Sequence, residues 1–295
     1  MSNTDRSNKK LDIFTILDDY FSAMDNVVIG ESSIFLNEDT KERHETILMY
    51  AFRKYRAACY HLARVNQLLE ENLIKPDDSD LLDKKRLSEN AKVKISVIRT
   101  ADHFIYELAA FFEALKSSLD FIASASSLYF KGINVNNSIR TFIKCADKNC
   151  MNNSFINVIK KYLVWLKQVR DYRHHLVHRM VITVSDGYEI HKWGDITRII
   201  NYPVIVPETT PSYFPDTRRS RMINDNNIYF DQKRFEGTVE YPDGTKKIID
   251  FSVEYKPSKG YKEISEFMTL HLHKFEHFFR DILTELKSMN FMKYN

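Results

Sequence analysis

Between Val169 and Arg179 the chain runs Val-Arg-Asp-Tyr-Arg-His-His-Leu-Val-His-Arg, the densest collection of chemically capable side chains in its 295 residues. Four residues separate Arg173 from His178, with His174 directly after the arginine and the apolar pair Leu176 and Val177 directly before the histidine. A guanidinium is planar and permanently charged, so it can grip two phosphate oxygens at once. An imidazole, whose ordinary pKa is about 6.5, can take up or release a proton near neutrality. RNA brings its own nucleophile, the 2′-hydroxyl beside every phosphate. Arg173 and His178 are therefore the candidate catalytic pair for transphosphorylation, a reaction that leaves a 2′,3′-cyclic phosphate and a 5′-hydroxyl. Arg170, His174 and Arg179 are candidate contacts to flanking phosphates, and Asp171 could cap or orient an adjacent imidazole. Arg170 and His175 offer a second register with the same spacing, but without an apolar pair before the histidine.

The surrounding charge suits a polyanion. From Lys160 to Met180 there are six basic residues and one acid, Asp171, a local charge of +5, whereas the whole chain carries only +3. That segment would draw nucleic acid, although a solvated cationic helix face is the plainer reading. Only 7 glycines are present, and neither G-x-x-x-x-G-K-[ST] nor G-x-G-x-x-G occurs, which argues against a phosphate-cradling loop for nucleotide hydrolysis or dinucleotide redox chemistry. Three cysteines, an odd number in a long chain, fit a reducing cytosol better than a disulfide framework. No apolar leader opens the sequence and no run of 18 apolar residues follows, so a cytoplasmic protein without a membrane span is expected.

The motif needs helices to carry it. Apolar residues at helical spacing predict a short amphipathic helix from Leu11 to Phe21 and a long one from about Asp39 to Leu73. A nearly all-apolar helix is expected from about Lys92 to Phe130. Its polar face after Leu108 narrows to Glu113, Lys116, Ser117 and Asp120, so it should be central to its bundle or pressed against another subunit. A third long helix, Ser154 to His178, carries Val158, Tyr162, Trp165, Val169, Tyr172 and Leu176 spaced 4, 3, 4, 3, 4. At 100° per residue this stripe faces the core, His175 joins it as a buried structural histidine, and Arg170, His174 and His178 line up on the far side. Short strands follow at Val181–Val184, Tyr188–His191 and Ile199–Val206. Period-two segments at 235–241 and 248–255, around Pro242-Asp243-Gly244-Thr245, signal a hairpin. A last helix from about Lys259 to Lys293 returns the chain to the bundle, with Ile264, Met268, His271, Phe275, Phe278, Ile282 and Leu286 inward. The expected fold is mainly α: a disordered tail at 1–10, a helical bundle over 11–180 and 259–295, and a β-rich insertion over 181–258 that precedes the last helix.

Arg173-His174-His175-Leu176-Val177-His178 resembles the R-x4-6-H signature of the HEPN superfamily, whose active members are metal-independent endoribonucleases. The segment Phe111–Asp120 is similar to the helix before the motif helix in that family. The resemblance implies a HEPN-like bundle with no cofactor and no metal, and RNA as partner. It also implies a homodimer whose two motifs share a cleft, and a toxin or antiphage-defence setting with an antitoxin or other defence protein as a further partner. In the family the residue after the arginine helps to position the site; asparagine is commoner there than the His174 of this chain. The β-rich insertion has no counterpart in the resemblance, although its Arg218, Arg219 and Arg221 could extend an RNA path.

Two other readings compete. His174 and His178, four apart, could begin a metal site, but the residues between them lack the glutamate of a metalloprotease helix and no third ligand stands out. His273 and His277 repeat the spacing beside Lys274 and Arg280 and read as solvated surface groups. A non-catalytic HEPN-like helical module binding a nucleotide or a partner protein is the alternative from a different class.

Overall fold

The computed structural model describes residues 12–73, 92–130, 138–148, 153–179, 184–193, 196–210, 230–240 and 243–293. The expected tail, the strand residues 181–183 and the Arg218, Arg219 and Arg221 cluster lie outside the described residues. The protein is mainly helical. Its α-helices, among the described residues, are α1 (Ile13–Met24), α2 (Glu38–Glu71), α3 (Asp102–Ser127), α4 (Ile139–Lys148), α5 (Asn153–His174) and α6 (Ile264–Ser288). Its strands are β1 (Lys92–Thr100), β2 (Ser185–Trp193), β3 (Ile196–Asn201), β4 (Ile205–Pro207), β5 (Phe230–Glu240), β6 (Lys246–Pro257) and β7 (Tyr261–Glu263). No helix among the described residues is long and apolar enough to cross a membrane.

Two compact units divide the chain, and each draws on separated segments. Unit 1 comprises residues up to His61, Ala109–His174 and Met268 onward; unit 2 comprises Leu62–Leu108 and His175–Phe267.

Unit 1 holds most of the helical core. Asp12 caps α1 by accepting from the Phe14 amide at 3.0 Å, and Ile13, Leu17, Tyr20 and Met24, spaced one turn apart, are buried. On α2 the buried stripe is His44, Leu48, Ala51 and Ala58, while Tyr50 is exposed. The small Ala51 lets α3 come close enough for Ser118 Oγ to donate to the Ala51 carbonyl at 2.6 Å. His44 sits among the rings of Tyr20, Phe35 and Tyr129, and Phe291 packs on Tyr20, Phe35 and Tyr129 in turn. The Tyr20 hydroxyl lies 3.0 Å from His44 Nε2 and 2.6 Å from the Tyr129 hydroxyl. Asn290 and Phe291 take positive φ values of 49° and 55°, a turn that brings the Phe291 carbonyl within 2.9 Å of the Ile34 amide. This bond offsets strain that a bulky residue pays in that conformation.

Unit 2 contains the strands. β2 is the centre of an antiparallel sheet ordered β1-β2-β3, β4 pairs with β7, and β5 pairs with β6. The β5–β6 ladder realises the hairpin predicted around Asp243-Gly244, where Gly244 supplies a φ of +79° and Asp243 Oδ1 accepts from the Thr245 amide at 2.9 Å. The long helix expected from Lys92 is instead a strand and a shorter helix. Val93, Ile95 and Val97 alternate, and β1 pairs with β2 from Lys92↔Trp193 to Thr100↔Ser185. The sheet thus takes a strand from before α3, outside 181–258. Both faces of β2 are buried: Tyr188 and Ile190 on one, Glu189 and His191 on the other. The Glu189 side chain takes His191 Nε2 at 2.9 Å and the Tyr202 hydroxyl at 2.7 Å as partners, as a buried polar group must.

Candidate functional site

The motif rests on α5, whose apolar stripe fixes its roll. Phe155, Ile156, Ile159, Tyr162, Trp165, Leu166, Val169 and Tyr172 are buried, as the spacing predicts for four of them, while Val158 is only half-buried. Tyr172 stacks on Phe112 of α3 with ring centroids 4.9 Å apart and planes at 15°. About two helical turns earlier, the Trp165 indole N–H donates to His271 Nδ1 on α6 at 3.0 Å. An indole can only donate, so Nδ1 is the acceptor and the His271 proton sits on Nε2. Burial, with Lys274 nearby, pushes the His271 pKa down to about 3, which keeps the ring neutral.

Beside the Phe112–Tyr172 stack the surface becomes charged. Arg173 Nε donates to Glu113 Oε2 of α3 at 2.5 Å, with the arginine side chain 26% and the glutamate 45% exposed. Arg170 donates through Nε and Nη2 to Asp171 Oδ1 at 2.9 and 2.8 Å, so the carboxylate expected beside an imidazole holds an arginine. His174 is exposed at the end of α5, and His175 is buried, which puts the histidine of the second register inside.

Two other polar residues on the narrow face of α3 are connectors as well. Lys116 pairs with Asp120, and Asp120 Oδ1 accepts from the Ile139 amide at 2.8 Å, capping α4 from a neighbouring helix. Farther along α5, Lys161 and the Tyr162 hydroxyl converge on Asp281 Oδ2 at 2.7 and 2.6 Å. Burial alone would raise Asp281, but these bonds and those from Arg280 outweigh it and hold the carboxyl below its usual range. The +5 counted along the sequence therefore overstates the field of this face. Glu113 and Asp281, supplied by other helices, stand against Arg173 and Lys161.

After His174 the helix changes type. His175–Arg179 form a π turn, in which the hydrogen-bonded ring closes five residues apart in place of four. The regular α-helical period on which the expected i, i+4, i+8 alignment rests ends at His174. Single π turns of this kind occur frequently at functional sites. The backbone of His178 and Arg179 belongs to the turn, while their side chains lie outside what is described. The boundary of the two units falls between His174 and His175, which assigns Arg173 to unit 1 and His178 to unit 2.

Elsewhere, an open groove of about 410 Å³ lies along α2, lined by Asp39, Glu42, Arg43, Thr46, Ile47 and Tyr50, and includes no residue of the motif. Among the described residues no three His, Cys, Asp or Glu side chains gather as a metal-binding group. His273 and His277 are exposed on α6. No protein-family model matches the chain, and neither a curated protein nor a solved structure matches it.

The motif spacing points to Arg173 but not to its partner. Glu113 carried one signal, a lone carboxylate on an otherwise apolar stretch of α3, and nothing in its neighbourhood named the arginine 60 residues away.

Proposed function

We propose that this protein is a metal-independent endoribonuclease of HEPN type, with Arg173 and His178 as its catalytic pair and Arg170, His174 and Arg179 as contacts to the RNA backbone. The observation that carries the reading is Arg173 itself: a half-buried arginine fixed by a carboxylate at the solvent-facing end of a core helix, five positions before the motif histidine. In the reaction the imidazole takes the proton of the 2′-hydroxyl, the 2′-oxygen bonds to phosphorus, and the P–O5′ bond breaks. The departing 5′-oxygen receives a proton from an acid. The guanidinium neutralises the charge that builds on the phosphoryl oxygens, where such stabilisation counts most. Two proton transfers from one histidine motif favour a homodimer with paired motifs. A toxin or antiphage-defence role, restrained by an antitoxin or another defence protein, is the setting proposed for such an activity.

The test is incubation of the purified protein with total RNA and with tRNA, with and without excess EDTA. Cleavage that survives EDTA and leaves 2′,3′-cyclic phosphate and 5′-hydroxyl ends supports the reading, as does its loss in Arg173→Ala and His178→Ala. Light scattering should give twice the chain mass; a strict monomer that still cuts RNA removes the dimer.

One observation favours a second reading, a non-catalytic helical module for a nucleotide or partner protein. Two of the three candidate phosphate-binding arginines already hold carboxylates, Arg170 that of Asp171 and Arg173 that of Glu113. Wild-type protein that leaves every RNA intact would establish the module.

A further inference from the structure

We propose that Glu113 is a positioning residue for Arg173: it accepts from Nε and thereby aims the guanidinium at the scissile phosphate. The inference rests on the ribonuclease reading and deepens it. A guanidinium is a rigid plane of five donors, so a contact at Nε fixes the direction of every other donor in the fork. An arginine on a helix end loses much rotamer freedom when it binds, and a carboxylate that holds it beforehand removes that loss from the binding step.

The anchor is itself anchored. Phe112, next to Glu113, is fully buried and stacked on the fully buried Tyr172, next to Arg173. The ring stack sets the level at which α3 meets α5, and the ion pair occupies the adjacent position on both helices. With no side-chain freedom in the stack, the carboxylate can shift only through its own χ angles. A purely neutralising surface pair would not require this support, and Glu113 is one of few charged groups on its stretch of α3.

The experiment measures steady-state RNA cleavage by Glu113→Ala, Glu113→Gln and Glu113→Asp, alone and in an Arg173→Lys background, with thermal melts of each. Glu113→Ala should lower kcat by about tenfold to 10²-fold with KM changed less than threefold, since a misaimed group costs transition-state stabilisation more than binding. Glu113→Gln keeps an acceptor for Nε and should recover part of the loss; Glu113→Asp should recover less, because it cannot reach. In the Arg173→Lys background Glu113→Ala should add less than twofold, since an ammonium has no plane to aim. Additive losses in the two backgrounds overturn the proposal, as a merely structural role would give them. A faster Glu113→Ala overturns it too, because then the carboxylate only competes with phosphate. If Arg173→Ala abolishes cleavage and Glu113→Ala does not alter kcat, this inference fails and the ribonuclease reading stands. If wild-type protein cleaves nothing, both fall.

Discussion

Two levels of the same helix, less than three turns apart, handle nitrogen-bearing side chains in opposite ways. At Trp165, α5 faces a dry wall in which His271 is neutral, accepts one indole hydrogen bond and packs edge-on to Phe112. At Arg173 it faces water on one side and the Glu113 carboxylate on the other. The first level spends a histidine on holding α5 to α6; the second keeps an arginine charged and oriented. Residue type therefore does not separate structure from candidate chemistry here, whereas burial and the identity of the partner do.

The comparison makes definite predictions. Arg173→Ala should reduce RNA cleavage by at least about 10²- to 10³-fold, the range for a group that stabilises transition-state charge. It should cost less than about 1 kcal/mol of stability in denaturant melts, because its pair with Glu113 is partly exposed and screened. A loss of fold in this variant would erase the distinction between the two levels.

Between pH 7 and pH 5 acid should act on the buried histidines. His44, enclosed by Tyr20, Phe35 and Tyr129, is pushed by burial to a pKa of about 3, as is His271 by burial and Lys274. Both rings stay neutral in the folded protein but take up a proton in the unfolded chain below about pH 6.5, so stability is complete above that pH and drains away as pH falls. Each histidine removes about 1.4 kcal/mol per pH unit, or together about 4 kcal/mol at pH 5. Urea melts at pH 7 and pH 5 should show this difference, and His44→Gln and His271→Gln should each flatten it; an unchanged slope in both variants would contradict the neutral assignment.

Trp165→Phe should do the reverse of Arg173→Ala, lowering stability by about 1–3 kcal/mol through the orphaned His271 nitrogen while leaving kcat intact. Equal loss of stability and kcat would mean that the two levels act as one. The smallest effect is expected at Lys161→Ala, where a 61% exposed lysine meets an aspartate that Tyr162 and Arg280 also hold. Its removal should shift stability by about 0–1 kcal/mol.

What the sequence disclosed follows from the reach of its periodicities. On α6 every apolar position assigned inward, from Ile264 to Leu286, is buried, because a 3.6-residue repeat over 25 residues leaves one solution for the roll. On α2 the buried stripe passes through His44, a polar residue that a count of apolar positions leaves out. β1 was hidden by the apolar run that follows it: its two-residue alternation is short and abuts α3 with only Ala101 between. α4, ten residues, opens directly after Ser138, a residue type that caps helices, but its first amide is held by Asp120 of another helix, a partner that no local pattern names. At the candidate site the arginine and histidines were legible as types and spacings. The Glu113 partnership and the π turn were not, as one depends on how α3 and α5 register and the other on backbone geometry that no residue type demands.

The ring of Phe291 has a consequence for biogenesis. Unit 1 is assembled from three stretches of chain, and the pocket around His44 is roofed by a residue that emerges from the ribosome last among its members. A nascent chain halted short of that point leaves Tyr20 and Phe35 open to solvent, so α1 and the start of α2 must wait for a lid that is made after α6.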